Sequence, residues 1–185
     1  MLAIDPVWQA DTQQAHFRLL LDAMAYPGRC LILKTLPIDG GQVALSVLST
    51  LLDAEVSLAD PHKLLKDDDW KMLQTNSVAV DEADYILCTG SQFTRFTPKL
   101  GRLKSPEQSA TLILVVDKLG VGDLKLNLSG PGIQYNKLLS VTGLAAQWLA
   151  RREECNIAFP LGIDLILIDD TQIAALPRTT KVEIL

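Results

Sequence analysis

Residues 159–185 read FPLGIDLILIDDTQIAALPRTTKVEIL, and this stretch limits the possible folds more than any other. The run 163–168 is apolar at almost every position and does not alternate. A strand of that kind suits a sheet covered on both faces. Asp169-Asp170 turns the chain, which returns as a second strand over 173–176. Pro177 cannot donate to a ladder, so it ends that strand or bends it at an edge. A chain end this apolar is docked against the rest of the protein.

A strand buried on both faces needs a layer on either side. The chain has 185 residues, which suits one domain spanning residues 1–185. Folding at that size buries about 70% of the extended-chain surface without a covalent staple. Hydrophobic residues make up 48% of the chain and aromatic residues only 5%, so the core should be aliphatic. The net charge is -5 and no basic stripe is visible, which argues against nucleic acid as a partner. Cys30, Cys88 and Cys155 are widely spaced without a CxxC pair, as expected of reduced thiols in a cytoplasmic protein. The first residues lack the basic and apolar regions of a signal peptide. No apolar run approaches the roughly 20 residues of a membrane span.

Along the chain, Asp11 or Thr12 can cap a helix running to about residue 25. Phe17, Leu20, Leu21 and Met24 form its expected buried stripe, with His16, Arg18 and Asp22 off it. Arg18 and Asp22 are spaced to pair along the helix. Tyr26-Pro27-Gly28 stops it. A strand over 30–36 and a turn over 37–41 follow, then a helix over roughly 42–52 with Val43, Val47, Leu48, Leu51 and Leu52 on its face. A short strand near 56–58 leads to Asp60, which can cap a third helix running towards Gln74 with Pro61 at its first position. Asp67-Asp68-Asp69 then reads as that helix's solvated face. Residues 78–80 and 85–88 are strand candidates.

From residue 89 to 109 the periodicity lapses. This stretch carries Arg95, Lys99, Arg102 and Lys104 against one acid, Glu107, and reads as a long, locally basic loop. Residues 111–116 form a further continuous apolar strand. Leu124, Leu126 and Leu128 alternate with polar residues, as in a half-exposed strand. A helix is expected over roughly 141–153, with Leu144, Ala145, Trp148 and Leu149 on one face. Alternating helices and strands give an α/β fold with a mixed β-sheet flanked by helices.

Four features carry candidate chemistry. Ser129-Gly130-Pro131-Gly132 follows a strand, where backbone amides can cradle phosphate or where the glycines simply make a tight turn. It lacks the lysine of a P-loop and full dinucleotide-motif spacing. His16 and His62 are the only histidines, and neither has a metal-ligand partner at helical spacing, so no metal site is expected. Cys88 ends a strand beside Thr89-Gly90, a place where α/β folds bind ligands, but it reads more simply as a buried thiol. Arg178, Thr179, Thr180 and Lys181 form a compact donor set. Arg178 either serves an anion or a partner's carboxylate, or pairs internally with Asp164 or Glu183.

These residues also carry a resemblance. His16-Phe17-Arg18, Asp22-Ala23-Met24 and Pro27-Gly28 are similar to the opening motif of the PhnH family, a component of the bacterial carbon–phosphorus lyase system. The segments 51–53, 110–114, 129–133, 159–167 and 176–180 with Val182-Glu183 resemble its later motifs. The match runs nearly end to end outside residues 63–102.

The resemblance implies a component of the complex that degrades phosphonates. With the G, I and L subunits, the family supports synthesis of α-D-ribose 1-methylphosphonate 5-triphosphate, a step in which a phosphonate displaces adenine from ATP. It further implies a fold like the large domain of pyridoxal-phosphate-dependent transferases without the cofactor, a homodimer in isolation, and assembly with the G, I and J subunits. ATP or a phosphonate ester is the implied ligand class. Ser129, Gly130, Gly132, Thr179, Thr180, Arg178, His16 and Arg18 are the candidate ligand or partner contacts.

Displacing adenine needs leaving-group protonation and stabilisation of an electron-poor ribose. The sequence does not assemble that set, so no catalytic residue is assigned and a subunit inactive by itself is expected. The alternatives are a stand-alone nucleotide or phosphonate ribosyl transferase, and a nucleotide-binding regulator.

Overall fold

A computed structural model describes residues 6–33 and 42–185. Among the described residues there are four α-helices, α1 (Ala10–Ala25), α2 (Gln42–Leu51), α3 (Asp67–Leu73) and α4 (Ala146–Asn156), and a short 3-10 turn at Pro6–Trp8. The strands are β1 (Leu31–Ile32), β2 (Ser57–Ala59), β3 (Asn76–Ser77), β4 (Tyr85–Thr89), β5 (Leu100–Arg102), β6 (Ser105–Ser109), β7 (Thr111–Val115), β8 (Lys118–Ser129), β9 (Lys137–Thr142), β10 (Asp164–Ile168), β11 (Gln172–Leu176) and β12 (Lys181–Ile184).

The apolar run at the C-terminus forms the hairpin expected of it. β10 and β11 pair antiparallel, with Ile168 opposite Ile173 and Leu165 opposite Leu176. Asp169 holds the turn by accepting from the Thr171 and Gln172 backbone amides, each at 2.7 Å. The main sheet has seven strands in the order β1-β11-β10-β7-β4-β2-β3. β10, β7, β4, β2 and β3 run parallel, while β11 is antiparallel to both its neighbours. The sheet is therefore mixed.

Every residue of β10 is buried, because the sheet is covered twice. Leu165 and Leu167 face a core shared with Leu126, Leu128, Leu139 and Trp148. Ile166 and Ile168 face the opposite core, with Leu20, Val47 and Leu48. One cover is thus the three-stranded sheet β12-β8-β9 with α4, and the other is the helical pair α1 and α2.

Several elements differ from the sequence reading. The buried side chains of α1 are His16, Leu20 and Ala23. Phe17 and Leu21 are 47% and 53% exposed. Each lies one residue, about 100°, further round the helix than His16 and Leu20. The face that α2 and β11 select is therefore shifted from the most apolar one. Arg18 and Asp22 form no ion pair with each other among the described residues.

The third helix starts at Asp67 and not near Asp60. Asp60 instead holds a turn, accepting from the Leu64 and Leu65 amides at 3.0 and 2.8 Å. The three aspartates open α3, where negative charge complements the free amides, and Asp69 accepts from the Lys66 backbone amide at 2.8 Å. Residues 78–80 are not a strand; the pairing falls on Asn76–Ser77.

The basic stretch is not all loop. β5 and β6 form a hairpin within it, Arg95 contacts Glu154, and Lys99 pairs with Asp84. Val141 belongs to β9, so α4 begins later than expected, at Ala146. Residues 34–36 of the strand expected over 30–36 and all of the turn over 37–41 lie outside the described residues; the described part, 30–33, contains β1.

Candidate functional site

The hairpin fixes where the C-terminal donors go. Because β11 runs back along β10, its end lies beside the start of β10, and Arg178 arrives next to Asp164. The Arg178 backbone amide donates to Asp164 Oδ1 at 2.6 Å. Its Nη2 donates to Asp164 Oδ2 at 2.5 Å and its Nε to Oδ1 at 3.3 Å. Nη1 donates to the carbonyls of Pro106 and Pro160 at 3.0 and 3.2 Å, and Nη2 also donates to Ser109 Oγ. Of the two internal acids considered, Asp164 takes Arg178, while Glu183 accepts from Asn127 at 3.2 Å. The guanidinium ties together β10, β6 and the connector before β10.

Residues 177–180 make a turn, closed by the Thr180 amide donating to the Pro177 carbonyl at 2.9 Å. The chain then becomes β12 and leaves the main sheet for β8, where Lys181 stands opposite Ser129. Pro177 thus marks a change of sheet.

The Ser129–Gly132 turn sits where three segments meet. A Cβ at Gly130 would lie 2.8 Å from the Thr179 carbonyl oxygen. A Cβ at Gly132 would run into the Ala25 carbonyl and Pro27, and Gly132 has φ +80°. Close backbone approach explains both glycines. Ser129, Gly130, Gly132, Thr179 and Thr180 are therefore neighbours, joined to the end of α1. His16 is 2% exposed on the buried face of α1, and Arg18 is exposed on the same helix; neither is part of this cluster.

One residue here escaped the sequence reading. Arg152 is only 4% exposed. Its Nη2 donates to the Thr180 carbonyl at 2.9 Å and to the Pro177 carbonyl. Its Nε is buried without a hydrogen-bond partner, as is Thr180 Oγ1. Burial pushes the guanidinium pKa down to about 10, against the opposing pull of Asp164 and Glu153. It remains charged at neutral pH. The signal was its spacing: Arg152 stands four and three residues after Trp148 and Leu149, on the apolar face of α4.

Arg152 lines a cavity of about 630 Å³ between α4 and β12. Arg178, Thr180 and Lys181 line it from the C-terminal segment, and Glu153 and Asn156 from α4. Leu149, Ile157, Val182 and Ile184 supply apolar surface. The arrangement can hold an anionic group beside apolar groups. Glu153 is the one carboxyl among its lining residues, and no serine, cysteine or histidine stands beside it. Cys88 is fully buried, and desolvation pushes its thiol up to about 12. His62 accepts at Nδ1 from the Thr89 amide at 3.1 Å and shares its other nitrogen with Thr94 Oγ1 at 2.8 Å. Among the described residues no group of three or more His, Cys, Asp or Glu is placed to hold a metal ion, and no helix is long and apolar enough to cross a membrane.

The family description "Bacterial phosphonate metabolism protein (PhnH)" matches residues 6–183. The chain belongs to the PhnH family. A protein of Stutzerimonas stutzeri named for a C-P lyase subunit, HtxG, is 43% identical over 96% of this chain and 89% of its own length. The subunit PhnH of alpha-D-ribose 1-methylphosphonate 5-triphosphate synthase from Rhizobium meliloti (strain 1021) is 31% identical over 97% of this chain and 92% of its own length. Within this PhnH-family chain, three of the segments that carried the resemblance, 22–28, 129–133 and 176–180, meet in space. The glycine contacts at Gly130 and Gly132 are what join them.

Proposed function

We propose that this chain is a subunit of the carbon–phosphorus lyase complex of phosphonate degradation, supporting formation of α-D-ribose 1-methylphosphonate 5-triphosphate from ATP and methylphosphonate. The observation that carries the reading is nearly full-length similarity to two proteins whose names make them subunits of such a system. The site geometry supports a role without catalysis by the isolated chain. The most compact donor, Arg178, is bonded internally, and the acid beside it, Asp164, is engaged in that pairing and not placed to protonate a leaving base.

On this reading the partners are the G, I, J and L subunits of the complex. The isolated chain is a single-domain homodimer in the cytoplasm, without a bound cofactor. The mixed sheet with helices on it is compatible with the large domain of pyridoxal-phosphate-dependent transferases, the likeness the family resemblance implies.

The test is adenine release from ATP in the presence of methylphosphonate. The purified chain should release none, and the chain co-expressed with the other subunits should release adenine in proportion to phosphonate. Release by the chain after stringent removal of every partner would overturn the non-catalytic reading.

A further inference from the structure

We infer that the groove between α4 and β12 is a docking site for a partner-protein segment that carries a carboxylate between apolar side chains. The inference rests on the complex-subunit reading above and assigns that complex a contact surface on this chain.

The charge comes first. A buried guanidinium costs stability unless it is paired. Arg152 has two backbone carbonyls and no carboxylate in contact, and its Nε and the neighbouring Thr180 Oγ1 are both unsatisfied. Asp164, whose charge acts on Arg152, is itself held by Arg178 in a two-pronged pair. Lys181 adds a second cation to the cavity wall. A carboxylate entering the groove would give Arg152 the direct ion pair it lacks.

The apolar lining decides the class of occupant. Ile157 is 80% exposed and Ile184 47%, and both line the groove together with Val182. Exposed apolar surface rimmed by charge marks a protein contact. A nucleotide fits less well: no aromatic ring lines the cavity to stack on a base. β12 is also an outer strand of its sheet, with one side of its ladder open to an extended segment.

The test is recovery of partner subunits by the tagged full-length chain, co-expressed with the remaining subunits of its carbon–phosphorus lyase complex. Ile157→Glu, Ile184→Glu and Lys181→Glu change exposed positions and should leave the melting temperature unchanged. Each should lower partner recovery at least about tenfold, a loss of about 1.4 kcal/mol. Leu138→Glu, an apolar position on β9 whose exposure lies between those of Ile157 and Ile184, should recover partner as the wild type does.

Wild-type recovery by all three groove variants overturns the inference. So does a rise in melting temperature with inorganic phosphate or ATP that Lys181→Glu abolishes, which would make the groove a small-anion site. If the unaltered chain recovers no subunit at all, the complex-subunit reading has failed, and this inference falls with it.

Discussion

Arg178 and Asp164 lock the end of β11 to the start of β10 with three hydrogen bonds, one from the backbone amide and two from the guanidinium. The same guanidinium reaches the Pro106 and Pro160 carbonyls. Removing one member of a buried pair leaves the other charge uncompensated, which costs about 3–5 kcal/mol. Arg178→Ala should therefore lower the melting temperature of the isolated protein by roughly 6–20 °C. Arg178→Lys keeps the charge but loses the planar fork, and should fall in between. Thermal unfolding of both variants checks this. Melting at the wild-type temperature would return Arg178 to the ligand-binding role its exposed-looking motif suggests.

That motif shows where the sequence was legible. Continuous apolar runs at 111–115 and 164–168 identify strands because nothing else buries both faces of so short a segment. The hairpin follows from Asp169-Asp170 and the break at Pro177. Less legible was anything set by a second layer. Which side of α1 is buried depends on α2 and β11, so His16 goes in and Phe17 stays out against the helix's own apolar pattern. Arg178 and Asp164 could be named as a pair, but only the hairpin register made it Asp164 in preference to Glu183. Arg152 was hidden for the opposite reason: an arginine in a charged run, RREE, looks solvated until Trp148 and Leu149 are seen to fix that face inward.

The Ser129–Gly132 turn offers a comparison between two glycines with the same backbone angle. Gly120 and Gly132 both have φ +80°. A Cβ at Gly120 would meet only Cys30 Sγ at 3.9 Å, whereas one at Gly132 would collide with the Ala25 backbone carbonyl. Gly120→Ala should cost only the left-handed strain, about 1–2 kcal/mol. Gly132→Ala should cost clearly more, because a carbonyl of the α1 terminus must move. Denaturant unfolding of the two variants side by side measures the difference. Equal losses would mean that the contact between the turn and α1 yields freely.

The three thiols should differ in reactivity. Burial raises the pKa of each, and Cys88, with no exposure, is pushed up to about 12. Only the thiolate attacks, so reactivity follows thiolate fraction and access. Cys30 is the partly exposed one, and Lys137 opposes the effect of burial there. At pH 8, a maleimide should label Cys30 first and leave Cys88 and Cys155 unmodified until the chain unfolds. Mass spectrometry of a labelling time course tests the order. Early modification of Cys88 in the folded protein would point to an opening of the sheet at β4.

Acid should act partly through Asp84. Burial alone would raise its pKa, but the bonds from Lys99 and from Ser57 outweigh that and hold it below the usual carboxylate value. Asp84 accepts from the Ser57 hydroxyl at 2.6 Å and the Ser57 amide at 2.9 Å, and it pairs with Lys99, so it fastens the start of β4 to β2 and to the basic segment. A carboxyl with a depressed folded pKa contributes stability above its unfolded pKa of about 3.9, and that contribution is lost as pH falls through the lower folded value. Lys99→Met removes the cation and raises the Asp84 pKa back towards the unfolded one. The variant should therefore be less stable than wild type at pH 6–7, and the gap should close as the pH drops through the acid range below about 4. Urea midpoints measured across that range give the gap directly. A gap that stays constant with pH would mean that Lys99 stabilises through the packing of its aliphatic stem, with no part played by the Asp84 charge.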